Sequence, residues 1–143
     1  MKRALILPLM ALPLLGATPP TGADVTVSVT HLRSTDGKVR ACMAPQKSAF
    51  PDCRGGVGME LSVAADKAGA FTFRNVAPGT YAIALIHDEN DNGKIDKALM
   101  IPKEGFGFSR DAPVRMGPPP FSAAAFDVGK ENVRQPIKMR YLL

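Results

Sequence analysis

The chain has 143 residues, of which 45% are apolar and 22% charged, with 13 Gly, 13 Pro, two Cys and no Trp. This composition is typical of an ordinary globular domain and excludes a disordered, collagen-like or disulfide-dense protein. With the first 23 residues set aside as a leader, 120 remain, which suits one core and not two. The net charge then falls from +5 to +3, and because the basic residues are scattered, we expect no nucleic-acid partner.

The leader begins with a short basic stretch, residues 1–3, and continues with an uncharged, apolar stretch, residues 4–15. Twelve residues are too few for a helix that spans a bilayer, which needs about 20. A basic start, a short apolar run and small residues after it predict a secretory signal peptide rather than a membrane anchor. Cleavage after Ala17 or after Ala23 fits the small-residue rule. We favour Ala23, because the first strand pattern begins next to it.

The rest of the chain, residues 24–143, has a dominant hydrophobic period of two, which predicts strands. Seven segments alternate or are continuously apolar: 25–30, 39–43, 59–63, 71–74, 81–86, 123–128 and 133–141. Residues 97–121 have no clean period and predict one long irregular loop. No stretch shows a sustained helical period. The pattern favours an all-β fold, a single antiparallel β-sandwich of about seven strands.

Two cysteines, Cys42 and Cys53, bracket a short proline-containing loop. In an exported protein an even pair of this kind predicts a disulfide. In the chain-entropy model such a bond stabilises by roughly 2–3 kcal/mol. No histidine or further cysteine lies nearby in the sequence, which disfavours a metal pair.

One acidic segment resembles the first half of a calcium-binding loop, because oxygen-bearing side chains alternate and a glycine follows. Ca²⁺ takes about six to eight hard oxygen ligands, and glycine permits the sharp turn that brings them together. The predicted ligands are the side chains of Asp88, Asn90, Asn92 and Asp96 and the carbonyl of Lys94.

The calcium prediction has an alternative. The twelfth position of a full calcium loop carries a bidentate Glu, and here it is Leu99. The affinity should therefore be low, around 10⁻⁴–10⁻³ M. Asn92-Gly93 is also a favoured two-residue hairpin turn, so the same segment fits a bare turn.

Two further features bear on activity and partners. His87 beside Asp88 fits a general base, or else a hydrogen-bonded structural histidine. Phe106, Phe108 and Phe121 fit an apolar contact patch for a partner, or else a satellite core beneath the long loop.

Three segments in series, Phe71–Tyr81, His87–Asp96 and Ile101–Ser109, resemble the bacterial exported domain-of-unknown-function family 2141. The resemblance covers the chain from about Val25 to Tyr141. The first segment alone is also similar to turns in transthyretin-like and collagen-adhesin B-type modules. The family implies an exported β-sandwich and supplies no activity.

These observations together predict an exported, non-catalytic β-sandwich module of the cell envelope, periplasmic or extracellular. It would act in binding or structure on an envelope protein or surface component, with one weak Ca²⁺ site. The alternatives are a periplasmic enzyme that uses His87 and Asp88 near the 97–121 loop, and a small-ligand carrier with a cavity between its sheets.

Overall fold

The computed structural model describes residues 16, 21–93, 97–98 and 101–143, with only the backbone described at 97–98 and 101–102. The predicted signal peptide lies almost wholly outside the described residues. No helix in the described part of the chain is both long and apolar enough to cross a membrane.

The described residues are mostly strand. The strands are β1 (Ala23–Thr30), β2 (Lys38–Ala44), β3 (Met59–Ala64), β4 (Ala70–Val76), β5 (Gly79–Asp88), β6 (Lys97–Ala98), β7 (Ile101–Pro102), β8 (Gly105–Phe108), β9 (Phe126–Val128) and β10 (Val133–Lys138). Helical structure is limited to α1 (Phe121–Ala124) and to single 3₁₀ turns at Lys47–Ala49, Arg54–Gly56, Ala65–Lys67 and Ser109–Asp111.

Two sheets form the fold. The first has three strands in the order β10-β1-β4, and the second runs β3-β2-β5-β8, with β9 also paired to β5. All pairs are antiparallel except β1 with β10, which run parallel. The predicted all-β, sandwich-like fold is confirmed.

The main core lies between the two sheets and is built from alternate residues of the long strands. Its largest fully buried apolar side chains are Phe73, Met43, Ile83, Leu85, Ile137 and Met139. Because side chains alternate across a strand, the neighbours of these residues face away from the core. Each sheet therefore also has an outer face, and the two outer faces differ.

The outer face of the five-stranded sheet is covered by a second apolar cluster. Ala82 and Ala84 of β5 and the two phenylalanines of β8 contribute to it, and Phe50 and Phe121 pack against it. The segments 45–58 and 109–125 supply this cover. A strand that is buried on both faces reads as a continuous apolar run, which explains the lack of alternation in β5.

The predicted strand at 123–128 is only partly present. Its first residues belong to α1, which follows Pro120, and only Phe126–Val128 pairs with β5. Proline fixes φ near the helical value, and the N–H of Ala123 donates to the carbonyl of Pro120 at 3.0 Å. This local turn overrides the strand propensity.

The predicted irregular loop contains a buried strand, β8, with the sequence Gly-Phe-Gly-Phe. Its phenylalanines face the second cluster, and its glycines face β10. A Cβ on Gly107 would lie 2.7 Å from Cγ2 of Ile137, and one on Gly105 would overlap the ring of Tyr141. Only glycine lets β8 approach this closely, and the carbonyl of Arg140 then accepts the N–H of Phe106 at 2.9 Å.

Strand β1 begins at Ala23, which is 1% exposed and pairs with Val76. The N–H of Gly22 donates to Oδ1 of Asn75 at 2.9 Å. The predicted domain boundary after residue 23 therefore falls inside the first strand rather than before it.

Candidate functional site

The acidic segment begins at the end of β5, where Asp88 is fully buried. Its Oδ2 lies 2.8 Å from Nε of Arg40 on the neighbouring strand β2. The second guanidinium nitrogen of Arg40 lies 3.0 Å from Oδ1 of Asp91, and Nζ of Lys38 lies 3.0 Å from Oδ2 of the same residue. Basic residues of β2 therefore neutralise two carboxylates of the segment.

The backbone curls around Asp88. The N–H of Asn92 donates to Oδ1 of Asp88 at 3.1 Å, and that of Gly93 donates to Oδ2 at 2.9 Å. Oδ1 of Asn90 also lies 3.3 Å from the N–H of Asn92. Gly93 has φ 73°, and Asp91 has φ 51°. The left-handed backbone at these two positions gives the turn its shape.

These contacts shift the pKa values of Asp88 and Arg40. Burial alone would raise the pKa of Asp88, but the hydrogen bonds from Arg40, Gly93 and Asn92 outweigh it and hold the pKa below its ordinary value. The same hydrogen bond to Asp88 raises the pKa of Arg40. The carboxylate is thus charged and already carries a cation.

The predicted calcium ligands are only partly described. Asp88, Asn90 and Asn92 lie in one tight turn, whereas Lys94 and Asp96 lie outside the described residues. Among the described residues, no three His, Cys, Asp or Glu side chains are grouped to hold a metal ion. The oxygens of Asp88 face a guanidinium and two backbone N–H groups, so calcium binding stays a prediction. Arg40 was not anticipated, because only the β2–β5 register brings it to Asp88.

His87 is buried on the core side of β5 and has no exposed surface. Its Nε2 lies 2.8 Å from the carbonyl oxygen of Asp36, which can only accept, so Nε2 donates. Its Nδ1 lies 2.7 Å from the hydroxyl of Tyr141. Both ring nitrogens are engaged, and the ring does not open into a cleft.

Near His87, Arg33 contacts residues of several segments that are distant in sequence. It lies 2.6 Å from Oε1 of Glu89 and donates to the carbonyl of Lys103 at 3.0 Å, and its guanidinium lies 4.4 Å from the centre of the Tyr141 ring. Burial raises the pKa of Tyr141. Burial would also raise the pKa of Glu89, but the bonds from Arg33 and Ser34 lower it on balance. Sequence reasoning missed this network because its members are far apart along the chain.

The three phenylalanines predicted to form a partner surface pack inside the protein. Phe106 and Phe108 are buried, Phe121 is half-buried, and all three belong to the second cluster. Phe50 packs edge-on against Phe108 and Phe121, with ring centres 5.9 and 6.0 Å away. The segment that follows β8 folds back over these rings, so they lie where the satellite-core interpretation places them and present little surface to a partner.

The described part of the predicted loop exposes a different residue. Met116 is fully exposed, next to a shallow cleft of about 320 Å³ lined only by residues of the 113–123 segment. This cleft lies on the outside of the fold. It is not the cavity between sheets that a small-ligand carrier would need.

The predicted disulfide is present. Cys42 and Cys53 are bonded, and both are almost completely buried. Cys42 lies on β2 and forms a small cysteine cluster with Ala44, Ala49 and Cys53. The bond therefore holds the segment from 45 to 52 over the outer face of the sheet. Phe50, within that segment, packs against both the cysteine cluster and the second cluster.

Comparison with protein families gives a match over residues 27–136, which span β1 to β10, to uncharacterized proteins conserved in bacteria (DUF2141). The chain belongs to this family. The resemblance noted from the three sequence segments is thereby confirmed. The match includes the acidic turn, the β8 strand and both cysteines. No curated protein and no solved structure shows a significant match.

Proposed function

We propose that this member of the family is an exported, non-catalytic β-sandwich module of the bacterial cell envelope. The observation that carries the proposal is the Cys42–Cys53 bond. Disulfides persist in oxidising compartments and are rare in the cytosol of mesophilic bacteria. The basic, then apolar start of the sequence agrees with the same destination.

The position of the disulfide supports a structural use. It closes a short loop that covers the outer face of the five-stranded sheet, and both cysteines belong to the cysteine cluster. An exposed, reactive pair would suit a redox role, whereas a buried pair suits a permanent bond. We therefore expect it to stabilise the module by about 2–3 kcal/mol in the chain-entropy model.

The environment of His87 favours a non-catalytic role over the enzyme alternative. A general base must reach a substrate proton within hydrogen-bond distance. The ring of His87 is enclosed and both nitrogens already have partners, and the carboxylate of Asp88 is held by Arg40. Neither side chain has a free approach from solvent.

Cell fractionation combined with thiol labelling tests the proposal. The full chain and a matched version that begins at Thr18 would be expressed in a bacterium and exposed to a large maleimide reagent under denaturing conditions. We expect the full chain outside the cytoplasm with no reactive thiol, and the shortened version in the cytoplasm with two. A full chain that stays in the cytoplasm with both thiols reactive would overturn the proposal.

A further inference from the structure

The outer face of the three-stranded sheet is bare, unlike that of the other sheet. Its central strand β1 presents a row of hydroxyl side chains, Thr26, Ser28 and Thr30, which are half-buried or exposed. Oγ1 of Thr26 lies 3.0 Å from Oγ1 of Thr72 on β4. Oγ of Ser28 accepts from Arg134 at 3.1 Å, and Oγ1 of Thr30 lies 3.1 Å from Nδ1 of His31. Each hydroxyl therefore has one partner and keeps part of its hydrogen-bonding capacity, because a hydroxyl has one donor and two acceptor positions. The hydroxyls lie along one line, and no aromatic ring shares this face.

Beside the hydroxyl row lies a row of cations, of which Arg134 and Lys138 belong to β10 and Arg140 lies two residues after its end. Arg134, Lys138 and Arg140 are exposed at alternating positions, with Pro136 between the first two. The parallel register sets Arg134 opposite Thr26 and Lys138 opposite Thr30. At a rise of about 3.3 Å per residue, the three charges extend over roughly 20 Å.

The row has one described carboxylate against its backbone, because Asp111 Oδ1 accepts the N–H of Lys138 at 2.9 Å. Within the part of the chain that the structure describes, no ion pair within 4.0 Å involves any of the three. Among the three cations, Arg134 donates a side-chain hydrogen bond to Oγ of Ser28 at 3.1 Å. By contrast, Arg74, across the face on β4, is paired with Asp24 at 3.1 Å. The unpaired positive charge of this face is therefore concentrated along β10 and the two residues after it.

We propose that the row of Arg134, Lys138 and Arg140, with the hydroxyl row beside it, binds a linear acidic polysaccharide. This inference rests on the proposed envelope location, where such polymers would meet the protein. Spaced cations in a line complement charges that repeat along an extended chain, and neighbouring hydroxyls can bond sugar hydroxyls.

Other anionic partners fit this face less well. A planar membrane would be met by cations spread over the whole face, and here they lie in one row along β10 and the two residues after it. Proteins that hold single-stranded nucleic acid stack bases on aromatic side chains. The outward residues of β1, β4 and β10 include none.

The test measures binding of purified protein to polygalacturonate at low ionic strength. The variant Lys138→Glu/Arg140→Glu reverses two exposed charges whose side chains form no ion pair with any described residue. The control Lys47→Glu/Lys67→Glu makes the same change in net charge at exposed residues elsewhere. We expect the first variant to lose at least tenfold in affinity and the control less than twofold, with unchanged melting temperatures.

Equal losses in the two variants would overturn the inference, because general charge would then explain binding. Tighter binding to anionic phospholipid vesicles or to a single-stranded oligonucleotide than to the polysaccharide would also overturn it, as would no binding to polygalacturonate. Export and disulfide formation are measured separately by fractionation, so failure of the envelope location and failure of this surface give different results.

Discussion

At the scale of single residues, Arg40 decides what the acidic turn is. A buried carboxylate without a partner is costly, and Asp88 avoids this cost by bonding the guanidinium of Arg40 and two backbone N–H groups. In a calcium-binding loop the first carboxylate binds the ion, and here the guanidinium of Arg40 occupies that place beside the carboxylate of Asp88. A calcium ion must compete with Arg40 for the same oxygens.

Removal of Arg40 should therefore strengthen the response to calcium. We expect millimolar calcium to raise the melting temperature of the natural protein slightly. The free energy of unfolding should rise by no more than about 1.4 kcal/mol, the value for free calcium at ten times Kd. Arg40→Ala should be less stable in chelator and should gain more from calcium, because the ion then replaces the lost cation.

The control is Asp88→Asn, which removes the shared carboxylate and should abolish the calcium response in either background. Differential scanning calorimetry with calcium and with a chelator makes the measurement. If neither the natural protein nor Arg40→Ala responds, the segment is only a turn held by an arginine.

At the scale of elements, β8 links the two sheets at one side of the sandwich. Its glycines allow contact with β10, and its phenylalanines fill the second cluster. The alternation of Gly and Phe is therefore a strand pattern. The phenylalanines fill one face of β8, and the other face lies too close to β10 for side chains. Glycine in a strand often marks such a close approach of another backbone.

The substitution Gly107→Ala should destabilise the protein by about 1–3 kcal/mol, as expected for an added methyl group in a filled space. Its Cβ would meet Ile137 at 2.7 Å and the carbonyl oxygen of Lys138 at 3.1 Å. Gly69→Ala is the matched control, since a Cβ there has no neighbour within 4 Å. Urea denaturation measures both, and equal free energies of unfolding would show that β8 is not tightly held against β10.

At the scale of the whole molecule, the outer faces of the two sheets differ in how they are covered. Loops cover the outer face of the five-stranded sheet, and the disulfide closes one of them. The hydroxyl and basic side chains on the outer face of the three-stranded sheet are exposed or half-buried. The first strand, β1, lies at the centre of that open sheet. The stability of the sandwich therefore depends on how much of β1 the chain retains.

A chain that begins at Thr18 should be more stable than one that begins at Asp24. The shorter chain lacks the buried Ala23 and the hydrogen bond from Gly22 to Asn75, and each lost hydrogen bond costs about 1 kcal/mol. Urea denaturation of the two purified chains measures the difference. Equal free energies of unfolding would mean that the start of β1 contributes nothing.

The sequence by itself determined the long strands, the fold class and the disulfide, but not β8, which lies in the segment predicted to be irregular. Alternation in β1, β2, β3 and β10 is a local signal, because burial of one sheet face imposes a period of two on neighbouring residues. Two cysteines permit only one intramolecular pair, so the bond between Cys42 and Cys53 needed no knowledge of the fold. The family was also readable from short segments.

The tertiary structure alone decided the partners of the acidic turn, the surroundings of His87 and the fate of the phenylalanines. Arg40 reaches Asp88 through strand register, and Tyr141 reaches His87 across 54 positions. Phe106 is buried because a later segment folds over it. Strand register and loop cover are set by contacts between residues distant in sequence, so no local pattern reports them.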